Sequence, residues 1–232
     1  AEAKKVYDAI LGLKPEEKDA YFLRGSAELE LGDYESAKAD FDKSISMDPK
    51  NYDRLIEIYE ALADYGYREV GQEYLQNVLN TEKKLDAYDS GRIYYYLGDY
   101  QKAYLALEEA KGKGGVDSYL YLGKAYAATG DYNYASSVYS NYLSKQGPDA
   151  EIYNQLGLCE MAKKDYQKAL EAFQAGKQIE GNSLMQTLSF NEIVAYEYLQ
   201  DYQKAAVLLK AYLQNYPDDQ AAIREQQFLS TR

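Results

Sequence analysis

The chain has 232 residues, enough for one large domain or two ordinary ones, and a formal net charge of −12. An acid excess of this size repels phosphate backbones, so nucleic acid is not an expected partner. Histidine is absent, which removes the commonest general base, the commonest metal ligand and any Ser-His or Cys-His nucleophile pair.

Cys159 is the sole cysteine, so an intramolecular disulfide is impossible and the redox compartment stays open. No apolar run approaches the roughly 18 residues that span a bilayer, so this segment is not expected to insert into a membrane. No signal peptide is present, yet the first residue is Ala1 rather than Met. We therefore expect a soluble segment whose N-terminal anchor or signal has been removed. The Lys/Tyr-rich, His-free composition leans toward a tethered extracytoplasmic protein; localisation itself stays open.

One phrase organises the chain. LGDYESAKADF (31–41) returns as LGDYQKAYLAL (97–107), TGDYNYASSVY (129–139), KKDYQKALEAF (163–173) and LQDYQKAAVLL (199–209). Glycine just past a helix end supplies the left-handed position without a side-chain clash. The aspartate that follows, at 33, 99, 131, 165 and 201, is placed to cap the next helix. Ala37, Ala103, Ala135, Ala169 and Ala205 come four residues later. Phe41, Leu107, Tyr139, Phe173 and Leu209 come after four more. These spacings trace one face of an amphipathic helix.

Twelve residues before each alanine stand Gly25, Gly91, Gly123, Gly157 and, in the last copy, Ile193. Aromatic residues four earlier and small residues two later give a second amphipathic helix ahead of the turn. A worn copy runs through Leu55, Tyr59, Ala61, Gly66, Gly71, Leu75 and Val78. A helix pair recurring every 32 to 36 residues signals a stacked array, because one pair cannot bury its own apolar face.

Tyr21, Gly25, Ala37, Phe41, Ser44 and Pro49, with the recurrence near 34 residues, resemble the tetratricopeptide repeat (TPR) family over nearly the whole chain. The resemblance implies an all-α fold: a right-handed superhelical solenoid of antiparallel helix pairs, occupying 1–232 as a single domain. Residues 1–17, with Ala3, Tyr7, Ile10 and Pro15, would be the second helix of a half repeat. Six repeats would follow at 18–51, 52–83, 84–115, 116–149, 150–185 and 186–217, and a capping helix at 218–232. Tyr59 and Ile193 replace the small inner residue, most repeat prolines are missing and two units are two residues short, so helix boundaries stay open.

The resemblance also implies where ligands bind: the concave face, lined by the second, fifth, ninth and twelfth residues of each first helix. Those positions yield a candidate peptide groove of Phe22, Ile56, Tyr88, Arg92, Tyr95, Leu120, Lys124, Asn154, Leu158, Met161 and Phe190. TPR co-chaperones hold a terminal carboxylate with a Lys, Asn and Arg set; Phe22, Ser26 and Glu57 stand where that clamp would begin, which excludes that function. A long apolar strip with aromatics and Arg instead has the composition of a partner site, with Arg92 and Lys124 placed to take an acidic group.

Competing chemistry is weak. Cys159 occupies a small-residue packing position. Tyr94 aligns with Tyr126 and Tyr196 and reads as core. KGKGG (111–115) lacks phosphate-loop spacing and reads as a loop between repeats. The carboxylates show no metal-binding spacing. We expect no enzyme, no cofactor and no metal. The expected function is a non-catalytic module that binds an extended or helical segment of another protein in the groove. The alternative is a structural or self-associating scaffold or spacer of a larger, membrane-tethered protein.

Overall fold

The computed structural model describes residues 1–111 and 115–232. The loop expected over 111–115 falls largely on 112–114, outside the described residues. Among the described residues there are fourteen α-helices and no strand. They form two compact units, Ala1–Asp99 and Tyr100–Arg232.

The first unit contains α1 (Glu2–Leu13), α2 (Lys18–Glu30), α3 (Tyr34–Met47), α4 (Tyr52–Asp64), α5 (Arg68–Thr81) and α6 (Ala87–Tyr96). The second contains α7 (Tyr100–Ala110), α8 (Gly115–Ala128), α9 (Tyr132–Gln146) and α10 (Ala150–Ala162). It continues with α11 (Tyr166–Lys177), α12 (Met185–Tyr198), α13 (Tyr202–Asn215) and α14 (Gln220–Leu229). Within each unit, antiparallel pairs such as α2–α3 and α10–α11 pack side by side, each covering the apolar face of its neighbour.

The recurring phrase makes the turns. Asp33 accepts a hydrogen bond from the Ser36 backbone N–H (3.2 Å), and Asp131, Asp165 and Asp201 do the same for Tyr134, Lys168 and Lys204. Each cap contributes about 1 kcal/mol. Gly32 sits at φ 78°, which lets the Asp33 N–H reach back to the Glu28 carbonyl at 2.9 Å. Lys164 and Gln200 hold the equivalent left-handed position at φ 64° and 63° without the freedom of glycine.

Packing explains the small residue of the first helix. A Cβ on Gly25 would lie 2.8 Å from the Phe41 ring, on Gly123 2.2 Å from the Tyr139 ring, and on Gly157 2.3 Å from the Phe173 ring. The glycine clears space for the large side chain of the second helix. In α4–α5 the sizes are exchanged. Tyr59 stands on the first helix, and a Cβ on Gly71 of the second would come within 2.9 Å of its ring. The substitution of Tyr59 for a small residue is therefore matched across the pair. Ile193, with Ala205 opposite, is likewise fully buried.

Candidate functional site

The candidate residues fall into two rows, one in each unit. In the first unit the row crosses α2, α4 and α6. The Phe22 ring is half-buried beneath the Arg54 guanidinium, 4.1 Å away. Arg54 is in turn paired with Asp19 (2.8 Å) and with Glu57 one helical turn along (3.3 Å). The Arg92 guanidinium lies 4.3 Å from the Tyr88 ring centroid and pairs with Asp53 and with Asp89 (2.6 Å). Burial opposes the charge on Arg92, but its hydrogen bonds with Asp53 and Asp89 outweigh that effect and raise its pKa. Burial also raises the Asp89 pKa, against the pull of Arg92. Tyr95 is half-buried, edge-on to Tyr96 at 5.4 Å, and the Tyr96 hydroxyl donates to Glu60 at 2.6 Å.

Ile56 does not face outward. It is buried with Leu55, Tyr59, Leu75 and Ile93 in the core of the unit. Arg92 is also buried and already engaged by its own chain's carboxylates, so it offers little to an incoming acidic group. Arg54 stands one position away from the register inferred for ligand contact. Its role could have been found from the carboxylates at Asp19 and Glu57 and the aromatic at Phe22.

In the second unit the row crosses α8, α10 and α12. Leu120 is buried. Lys124 lies 3.6 Å from Glu151 and 5.9 Å from the Tyr121 ring centroid. Asn154 is buried and accepts a hydrogen bond from the Asn191 side-chain amide at 2.9 Å, linking α10 to α12. Leu158 stands out at 42% exposure, with Met161 half-buried one turn on. Phe190 is half-buried against Tyr212, centroids 5.7 Å apart. Solvent thus reaches Phe22, Tyr88, Tyr95, Lys124, Leu158, Met161 and Phe190, while Ile56, Arg92, Leu120 and Asn154 serve mainly to hold the rows together.

Other candidates resolve into packing. Cys159 is buried and burial raises its pKa to about 11, the state of an inert thiol. Tyr94 is half-buried. Tyr34 stacks on Tyr67 at 4.2 Å and Tyr166 on Tyr198 at 4.8 Å, so tyrosines after the capping aspartate join successive pairs. Among the described residues, no group of three or more His, Cys, Asp or Glu could hold a metal ion. No described helix is long and apolar enough to cross a membrane.

Glu197 falls on the ligand-contact register of α12 and Glu225 on the polar side of the capping helix, and no spacing between them announces that they meet. Glu197 on α12 and Glu225 on α14 line one recess with Val194, Tyr198, Tyr202 and Phe228. Burial, then hydrogen bonding with Glu225 and the charge of that group, pushes Glu197 up to about 8.

Sequence profiles described as tetratricopeptide repeat match residues 18–51, 120–183 and 190–219, together more than half of the chain. No curated protein sequence matches. Solved structures do. A tetratricopeptide repeat protein from Parabacteroides merdae is 15% identical, with a TM-score of 0.59, over 84% of this chain and 77% of that one. Yeast Tom70 is 16% identical, with a TM-score of 0.64, over 92% of this chain and 47% of that one. YrrB, a TPR protein with an unusual peptide-binding site, is 18% identical, with a TM-score of 0.53, over 97% of this chain and all of that one. At these identities the likeness concerns the fold.

Proposed function

The chain belongs to the tetratricopeptide repeat family, whose members are in general protein-interaction modules, and from that premise we propose that it is a non-catalytic module binding a peptide segment of a partner protein. Each unit offers its own row of first helices for such a segment, extended or helical: Phe22, Tyr88 and Tyr95 on α2 and α6 in the first, and Leu158, Met161 and Phe190 on α10 and α12 in the second. In this reading the chain divides into the half repeat, six repeats and capping helix given above. The observation that carries it is Leu158, a large apolar side chain left exposed in mid-helix beside half-buried Met161, where a partner would remove it from water.

The test is a pull-down from the source cell's extract with mass-spectrometric readout. Wild type is compared with Leu158→Asp and with Tyr88→Ala, each first checked for folding by circular dichroism. A protein retained by the wild type and lost by either variant supports the groove. Equal retention by all three sinks it.

A self-associating scaffold is the second reading, favoured by α1, where Leu13 and Val6 are both exposed. Sedimentation equilibrium separates the two: mass that rises with concentration and reverts in Leu13→Lys favours self-association.

A further inference from the structure

The groove reading above is the starting point, and the remaining question is the chemistry of the segment that the row on α2, α4 and α6 would take. One arrangement occurs there twice. Arg54 covers the Phe22 ring and pairs with Asp19 and Glu57; Arg92 covers the Tyr88 ring and pairs with Asp53 and Asp89. The guanidinium side chains are shielded, 17% exposed for Arg54 and 8% for Arg92. Three of their four carboxylates face solvent, Asp19 at 55%, Glu57 at 50% and Asp53 at 75%, while Asp89 at 17% is as shielded as Arg54. Glu60, also exposed, is held by the Tyr96 hydroxyl. Five carboxylates thus accompany two arginines; four of the five face solvent, and both arginines are covered.

An acidic partner group would have to displace a carboxylate from a shielded arginine while facing the remaining negative charges. That exchange gains no new ion pair and adds like-charge repulsion. A cationic group meets exposed carboxylates with oxygen lone pairs still open to solvent, at no cost to the existing pairs. The arrangement reverses the sign that Arg92 suggests when it is read from the sequence. We infer that this row takes a cationic segment, with Lys or Arg side chains set against Asp53, Glu57 and Glu60 and an apolar or aromatic side chain set beside Tyr88.

A random peptide library displayed on phage tests this when selected against the full chain. Enriched peptides are then synthesised and titrated by fluorescence anisotropy. The row variant is Glu57→Gln with Glu60→Gln, which leaves Asp53 and Asp89 in place beside Arg92. The control is Glu35→Gln with Glu73→Gln, which removes the same charge from exposed positions on the second helices α3 and α5. The expected outcome is enrichment of Lys/Arg-rich peptides carrying an apolar residue. Their affinity should fall about tenfold in the row variant, as two exposed ion pairs can account for, and weaken with added salt. The control should change it by less than about twofold. Equal losses in row variant and control overturn the inference, because the attraction then belongs to the chain's overall charge. Enrichment of neutral or acidic peptides whose binding is lost in Tyr88→Ala also overturns it and leaves the groove standing. Enrichment of no peptide above background overturns both.

Discussion

Raising the pH should loosen α14 from α12, and the reason lies in one pair of carboxyl groups. Glu197 Oε1 is shut off from solvent and no N–H or hydroxyl donor reaches it; its neighbour across the interface is Glu225. Two carboxyl groups can hydrogen-bond only if they share a proton. Tyr198 and Tyr202 line the same recess, and the Arg232 guanidinium stacks on Phe228 and Tyr202 at 4.7 and 5.9 Å from their centroids. Burial and Glu225 push Glu197 from 4.5 up to about 8. An unfolded chain releases this proton near the ordinary carboxylate value, whereas the folded chain holds it to about 8. Between those values unfolding releases a proton, so the contribution is fully present at low pH and is lost as pH rises through the window. The whole difference corresponds to about 5 kcal/mol at about 1.4 kcal/mol per tenfold in proton affinity. The pair is only partly shielded, and solvent screening reduces this to about 1–2 kcal/mol. Because repeat arrays open locally, the assay is amide hydrogen exchange of α14, corrected for intrinsic rates. Protection should fall by a factor of about 5–30 between about pH 5 and pH 9 in the wild type and stay nearly level in Glu197→Gln. A flat wild-type profile, or a Glu197→Gln profile as steep as the wild type, would refute the reasoning.

Four further outcomes are expected. Gly123→Ala, whose Cβ would meet the Tyr139 ring at 2.2 Å, should cost about 1–3 kcal/mol in chemical denaturation; no loss would mean that the ring moves freely. Lys164→Gly and Gln200→Gly, both at left-handed turns, should each stabilise by about 1 kcal/mol, read as a rise in Tm. The buried thiol of Cys159, with its pKa raised to about 11, should resist iodoacetamide at neutral pH until the chain is denatured. Leu158→Asp, at an exposed position, should change stability by less than about 0.5 kcal/mol, so that any lost binding belongs to the surface.

Much of the helical architecture was legible because its cause is local. The Asp33-type cap and the Gly32-type turn act within a few residues, and the periodic Ala and Phe positions need only a neighbouring pair to bury them. The exchange at Tyr59 and Gly71 looked like damage in one helix and is complementarity across two. The groove was less legible. Register from a repeat pattern places residues on a helix face but cannot say which side chain a neighbour covers, so Ile56 and Leu120 were expected outside and lie inside. Arg92 read as an available cation because its carboxylates, Asp53 and Asp89, lie 39 and 3 residues away, and only folding brings Asp53 to it. Glu197 and Glu225 could be placed on their helix faces, but their meeting could not be read, since it depends on how α14 closes against α12.

The central claim is that partner contact is made by the first helices and not the second. Photo-crosslinking addresses it directly, with benzoylphenylalanine placed at position 158 on α10 or at position 207 on α13, where Leu158 and Val207 are both exposed. The account predicts a crosslink to the captured partner from 158 and none from 207. Crosslinking from 207 with none from 158 would contradict it and move the binding surface to the outer helices.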